Sequence, residues 1–258
     1  MENLVFQYWE NSESYPEGIS YINLCHETVD LHSNKNNYKV IRLNSQTIYD
    51  YLSKEEINPN IYNLGKNENQ IAQKVDYFRV KLLKKYGGLW LDSEALMLRD
   101  DVSYIFDKLY TNEFFGYKNQ ETPNIWAFAC LKGAKIMEKW DENNERILNE
   151  TKGENIFYGE LGHQSLIHCL KSNKKEDFKI FWEDIQQLDQ LMYECNYKFF
   201  YVTEENAYKR YVHEKLPFIM LFNGLTDTVF KTKDRNYFLK NDNKMLFSQL
   251  LRYSGIKN

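Results

Sequence analysis

Four charged side chains in one stretch of the chain could do chemistry: Asp92 and Glu94 have the spacing to flank a divalent cation, and Asp76 and Arg79 form a pair just upstream. Asp76 and Arg79 are three residues apart, so on a helix they emerge on nearly the same face. Read alone they form an ordinary surface ion pair. Asp92, Ser93 and Glu94 follow the apolar run Gly88-Leu89-Trp90-Leu91. In an extended segment Asp92 and Glu94 point to one side about 6.6 Å apart. That is too wide for a tight carboxylate pair and suits two acids flanking a hydrated divalent cation, whose oxygen ligands lie at about 2.1 Å. Acids at the carboxyl end of a strand in an open α/β sheet also lie where ligands bind.

The elements that must position these groups are legible nearby. Ile71, Val75, Phe78, Leu82 and Tyr86 recur at steps of three and four, which predicts a helix over about 67–86. Gly87 is placed to end it in a left-handed conformation. Upstream, residues 3–9 alternate in strand fashion, and Pro16-Glu17-Gly18 opens a helix from Ile19 to about Leu31. Residues 38–43 (YKVIRL) form a second strand, and 47–52 a short helix. Strand, helix, strand at this spacing predicts a βαβ unit with a parallel sheet. Further on, residues 124–131 read as a strand, and 134–148 and 157–170 as helices. Residues 244–253 read as an amphipathic helix docked on the core.

Composition narrows the function. The chain has 258 residues, a net charge of −4 and no basic face, which argues against a nucleic-acid partner. There is no apolar run of about 18 residues and no visible secretory signal, so a cytoplasmic location with at most peripheral contact at the inner membrane face is expected. Cys25, Cys130, Cys169 and Cys195 stand singly, which predicts reduced, buried thiols rather than a zinc site or disulfides. A single domain is expected, with residues 1–130 as a donor-binding half and 131–258 as a largely helical, acceptor-side half.

The combination Asp76-x-x-Arg79, Tyr86-Gly87-Gly88 and Trp90-x-Asp92-x-Glu94 resembles the signature of sugar transferases with a DXD motif. It looks most like the capsular polysaccharide synthesis family, related to yeast mannosyltransferases and clostridial glucosylating toxins. The opening Phe6-Gln7-Tyr8-Trp9-Glu10 is similar to that family's first strand. Two departures stand out: Val75 where the family has serine, and Asp92-Ser93-Glu94 in place of D-x-D. The resemblance implies an α/β, GT-A-like nucleotide-sugar-binding fold with a mostly parallel central sheet flanked by helices. It implies a metal-dependent, retaining glycosyltransferase of bacterial surface polysaccharide (capsule or O-antigen) synthesis. The expected partners are a nucleotide-sugar donor, a UDP-sugar first, and a glycan or lipid-linked oligosaccharide acceptor.

The resemblance also implies residue roles. Asp76 and Arg79 contact the donor, Asp92 is shared between ribose and metal, and Glu94 binds Mn²⁺ or Mg²⁺ directly. Tyr8 and Trp9 are candidates to stack on the nucleobase, and Asn124 is a candidate donor contact. His213 is a candidate late metal ligand, weighed against a structural role. His163 is a weaker site candidate, and Asp100-Asp101 reads as a helix cap before Val102. Two other readings stand beside the enzyme: a toxin-like protein glycosyltransferase, and an inactive carbohydrate-binding relative, the latter motivated by the change from D-x-D to D-x-E.

Overall fold

The computed structural model describes residues 3–65, 67–185, 200–240 and 242–257. Its centre is a six-stranded sheet made of β1 (Leu4–Tyr8), β2 (Lys39–Leu43), β3 (Gly88–Leu91), β5 (Phe114–Asn119), β6 (Thr122–Cys130) and β7 (Ile180–Asp184). The strand order is β2-β1-β3-β6-β5-β7. The β1–β2, β1–β3 and β5–β7 pairs are parallel, while β6 runs antiparallel to both neighbours. A second, two-stranded sheet pairs β4 (Ala95–Met97) with β8 (Phe218–Met220) in antiparallel register. This is the mostly parallel α/β architecture expected from the sequence.

Both faces of the large sheet are covered, so its strands are apolar on both sides. Phe6, Tyr8, Trp90, Phe114 and Phe128 face a core completed by helices α2 (Glu68–Tyr86) and α4 (Lys135–Thr151). The alternate residues Val5, Leu89, Leu91, Phe115 and Ala127 face the other way, toward Val29 of α1 (Ser20–Lys35) and Ile105 of α3 (Ser103–Lys108). A third apolar cluster joins the start of α1 to the C-terminal segments α6 (Thr228–Lys231), α7 (Arg235–Leu239) and α8 (Leu246–Tyr253).

Helix α2 begins at Asn67, whose side chain accepts from the Gln70 amide, and ends at Gly87. Gly87 has φ 71° and ψ −169°, outside the left-handed helical well that was expected, and Gly88 follows at φ 105°. A Cβ on Gly87 would lie 2.6 Å from the Lys132 amide nitrogen, and one on Gly88 would lie 2.7 Å from the Leu4 carbonyl oxygen. The Gly-Gly pair thus lets the chain turn hard out of α2 and slide β3 against β1. That turn brings the middle of α2 beside the carboxyl end of β3.

Two other expectations need correction. The predicted helix over 157–170 is instead a wide turn over Glu160–Gln164, kinked at Gly162, followed by helix α5 (Ser165–Ser172). Helix α8 docks on the core as expected, burying Leu246 through Leu251 and leaving Arg252 and Tyr253 exposed. Asp100 and Asp101 do not cap α3, whose cap position is Val102. Asp100 pairs with His32 and Lys35, and Asp101 with Arg99. Cys25, Cys130 and Cys169 are free and buried, and Cys195 lies outside the described residues.

Candidate active site

Asp92, Ser93 and Glu94 occupy the corner between β3 and β4, and the corner is a tight turn rather than the extended segment expected. The Ala95 amide donates to the Asp92 carbonyl at 3.0 Å, closing the turn. The Ser93 hydroxyl donates to the Tyr8 carbonyl at 2.9 Å, tying the corner to β1. The Asp92 amide donates to the Trp126 carbonyl at 2.8 Å, and the Leu221 amide donates to the Glu94 carbonyl at 3.2 Å. Buried Gln7 reaches the Asp92 carbonyl through Nε2 at 3.4 Å, while its Oε1 is held by Arg42. The two acids are therefore fixed from β1, β6 and the segment after β8.

Arg79 is the hub of the site. Its Nη2 lies 3.1 Å from Asp76 Oδ1 and 3.2 Å from Asp92 Oδ1, and its Nη1 donates to the Ile125 carbonyl at 2.6 Å. The guanidinium carbon sits 5.1 Å from the Trp90 ring centre, a cation–π contact. The Trp90 indole N–H donates to the same Asp92 oxygen at 2.6 Å. Side-chain exposures of 5% for Arg79, 10% for Asp76 and 21% for Asp92 show that this is a buried network, not a surface ion pair. Gly162 packs directly on the Asp76 carboxylate. A Cβ there would lie 2.4 Å from Asp76 Oδ2, so only glycine permits the contact.

These groups line a cavity of about 500 Å³, together with Tyr8, Trp9, Asn124, Tyr158, His163 and Asn223. Tyr8 stacks on Phe78, with ring centres 5.4 Å apart, and donates to Glu10 at 2.9 Å. Trp9 donates to Asn11 at 3.0 Å. Asn124 accepts from the Trp126 amide at 3.0 Å. The Nε2 atom of His163 is buried with no hydrogen-bond partner among the described residues, and burial holds the ring below its ordinary pKa. Among the candidates, only His213 is outside the cavity lining. It lies beyond the Met97 end of the β4–β8 pair, in a bridge with Leu216, and its Nδ1 accepts from the Lys215 amide. Antiparallel pairing places Met220 opposite Ala95, so Phe222 and Asn223 reach Glu94, whereas His213 is carried to the opposite end.

Electrostatics follow from this crowding. Burial pushes Glu94 up to about 8, with Asp92 adding to the shift; a backbone hydrogen bond from Asn223 and the charges of Lys231 and Arg79 oppose it. Burial pushes Asp76 up to about 6 against the pull of Arg79, and raises Asp92 likewise. Glu10, Asp76, Asp92 and Glu94 face the cavity, and among its lining residues Arg79 carries the positive charge. That imbalance fits a divalent cation held by Asp92 and Glu94, with its other ligands supplied by substrate and water. Among the described residues, no group of three or more His, Cys, Asp or Glu side chains could complete a site alone.

Residues 1–146 match the family model described as capsular polysaccharide synthesis protein. The chain belongs to that family. No curated protein matches it. Solved structures similar to it include a glycosyltransferase involved in the glycosylation of the major capsid of PBCV-1, at 12% identity over 86% of this chain and 95% of that one, with a TM-score of 0.48. The galactosyltransferase LgtC is similar at 12% identity over 98% and 95% of the two chains, with a TM-score of 0.49. The glycosyltransferase GlyE of Streptococcus pneumoniae TIGR4 is similar at 14% identity over the whole of this chain and 61% of its own, with a TM-score of 0.46.

Sequence reading brought Asp76, Arg79, Asp92 and Glu94 together correctly in space, but it missed several supports. Trp90 sits two residues before Asp92 on the same strand face, a signal that was available. Gly162 and Asn223 carry no local signal, because they meet the acids only through the fold. Among the described residues no helix is long and apolar enough to cross a membrane.

Proposed function

We propose that this family member is a metal-dependent glycosyltransferase that moves a sugar from a nucleoside diphosphate donor, a UDP-sugar first, onto a glycan acceptor. The observation that carries the reading is the rigid Asp92–Glu94 corner at the floor of a cavity, held by a buried arginine hub. In this reading Asp92 and Glu94 hold a Mn²⁺ or Mg²⁺ ion. Such an ion supplies Lewis-acid stabilisation of the leaving diphosphate. Arg79 opposes the effect of burial on Asp92 and aims its carboxylate through the Nη2 contact. Asp76 lies beside Asp92 to accept hydroxyls of the donor. Tyr8 and Trp9 offer aromatic surface at the end of β1 for the nucleobase. The family resemblance supports retention of anomeric configuration, through an oxocarbenium-like transition state. It also supports a place in surface polysaccharide synthesis.

The test is a panel of nucleotide sugars with Mn²⁺, following release of the nucleoside diphosphate. Release that stops in excess chelator, returns with Mn²⁺ and is lost in Glu94→Ala supports the reading. Full activity in chelator removes the metal. No release from any donor, with glycan binding intact, favours an inactive carbohydrate-binding relative.

A further inference from the structure

Two large aromatic side chains stand out of the surface at the lip of the cavity. Phe157 is 72% exposed and Tyr158 is 70% exposed. Exposure of two adjacent large aromatics in an otherwise well-packed protein marks an interaction surface. Tyr158 lines the cavity itself, and its hydroxyl feels the charges of Asp76, Glu94 and Asp92.

The backbone that carries the pair is braced. Gln73 of α2 donates to the Ile156 carbonyl at 2.6 Å, and the Phe157 amide donates to the Glu160 carboxylate at 2.8 Å. The Glu160 amide returns a bond to the Phe157 carbonyl at 3.0 Å, and the Trp140 indole holds the Leu161 carbonyl at 3.0 Å. Asn155 and Gly159 bracket the pair at φ 53° and 76°, projecting it away from the core. The rings are thus presented before any ligand arrives, which lowers the ordering cost of binding.

The chemistry of the surroundings selects the ligand. From Gly153 to Gln164 there is no lysine or arginine, while Glu154 and Glu160 flank the rings. A segment that docks on anionic lipid pairs aromatics with basic residues, and this one carries the opposite charge. Pyranose rings present a face of C–H bonds that stacks on aromatic rings, with hydroxyls at the rim that donate to acidic neighbours. We infer that Phe157 and Tyr158 form a stacking platform for the acceptor, with Tyr158 under the sugar nearest the acids and Phe157 under the next sugar outward. The acceptor is then an oligosaccharide of at least two residues rather than a free monosaccharide. This rests on the glycosyltransferase reading above.

The test uses a glycan array of mono- to hexasaccharides, probed with labelled full-length protein, and donor hydrolysis measured without acceptor. Wild type should bind oligosaccharide spots over monosaccharides. Phe157→Ala should weaken those spots at least tenfold and remove the preference for longer glycans, while Phe157→Tyr retains both. Donor hydrolysis by Phe157→Ala should stay within twofold of wild type. Equal binding by wild type and Phe157→Ala, or no oligosaccharide binding by wild type, overturns the platform. Loss of flotation with phosphatidylglycerol vesicles in Phe157→Ala, with glycan binding unchanged, overturns it in favour of a membrane contact. Absence of donor hydrolysis in wild type counts against the glycosyltransferase reading, separately from the array result.

Discussion

Replacing Glu94 by glutamine should make the protein more stable at alkaline pH. Glu94 titrates near 8 rather than in its ordinary range near 4.5, because it is buried beside Asp92. Between those values the folded chain keeps a proton that the unfolded chain has released. Stability is therefore fully present below the unfolded pKa and is lost as pH rises through the folded one, at about 1.4 kcal/mol per pH unit. Over the whole interval this is about 4–5 kcal/mol as an upper figure. Asp76 and Asp92 are raised too, Asp76 to about 6, so the difference between wild type and Glu94→Gln from pH 6.5 to 8 is what reads Glu94. There the loss is about 2 kcal/mol, or roughly 4–8 °C in Tm for a chain of this size. The assay is thermal unfolding in chelator, of wild type and Glu94→Gln, from pH 6 to 9. Wild type should lose Tm across the interval while the variant loses less and is the more stable of the two by pH 8. Adding Mn²⁺ at pH 8 should raise wild type and leave the variant unmoved. A difference between the two proteins that is constant with pH would refute the reasoning.

Other substitutions test the supports. Arg79→Ala strands two buried carboxylates and should cost about 3–5 kcal/mol in denaturant unfolding, with loss of donor hydrolysis; a surface pair would cost under about 1 kcal/mol. Trp90→Phe removes the N–H on Asp92 and part of the ring under Arg79, and leaves a void in the core. It should cost about 1–3 kcal/mol and lower turnover more than stability alone explains, read by paired Tm and initial-rate measurements. Gly162→Ala forces a carbon onto the Asp76 carboxylate and should weaken donor binding at least tenfold by calorimetry. His26 is pushed down to about 3, chiefly by burial and also by Arg42. The unfolded chain takes up that proton first, so acidification from about pH 6.5 to 3 removes stability, and His26→Gln should lessen the loss in an acid titration followed by circular dichroism.

Much of this site was legible because its signals are local. The period of α2, the Gly87-Gly88 exit and the acids after β3 all lie in one continuous stretch. Chain connectivity alone brings Asp76, Arg79 and Asp92 close. What was not legible depends on contacts between distant segments. The break at Gly162 exists because Asp76 occupies the space a side chain would need, and nothing within residues 157–170 records that. The Asp92–Glu94 turn closes because Ser93 finds the Tyr8 carbonyl, a partner set by strand order. His213 and Asn223 are ten residues apart, and only the register of β8 decides which of them arrives at Glu94.

The corner that holds the acids is fastened at its far side by Leu221, more than a hundred residues downstream. During synthesis the strands of the large sheet leave the ribosome well before β8 does, and domains form from the N-terminal end. Until that last strand docks beside β4, Glu94 lacks its outer wall and the floor of the cavity is incomplete. A nascent or prematurely terminated chain without β8 therefore carries an unfinished acid corner.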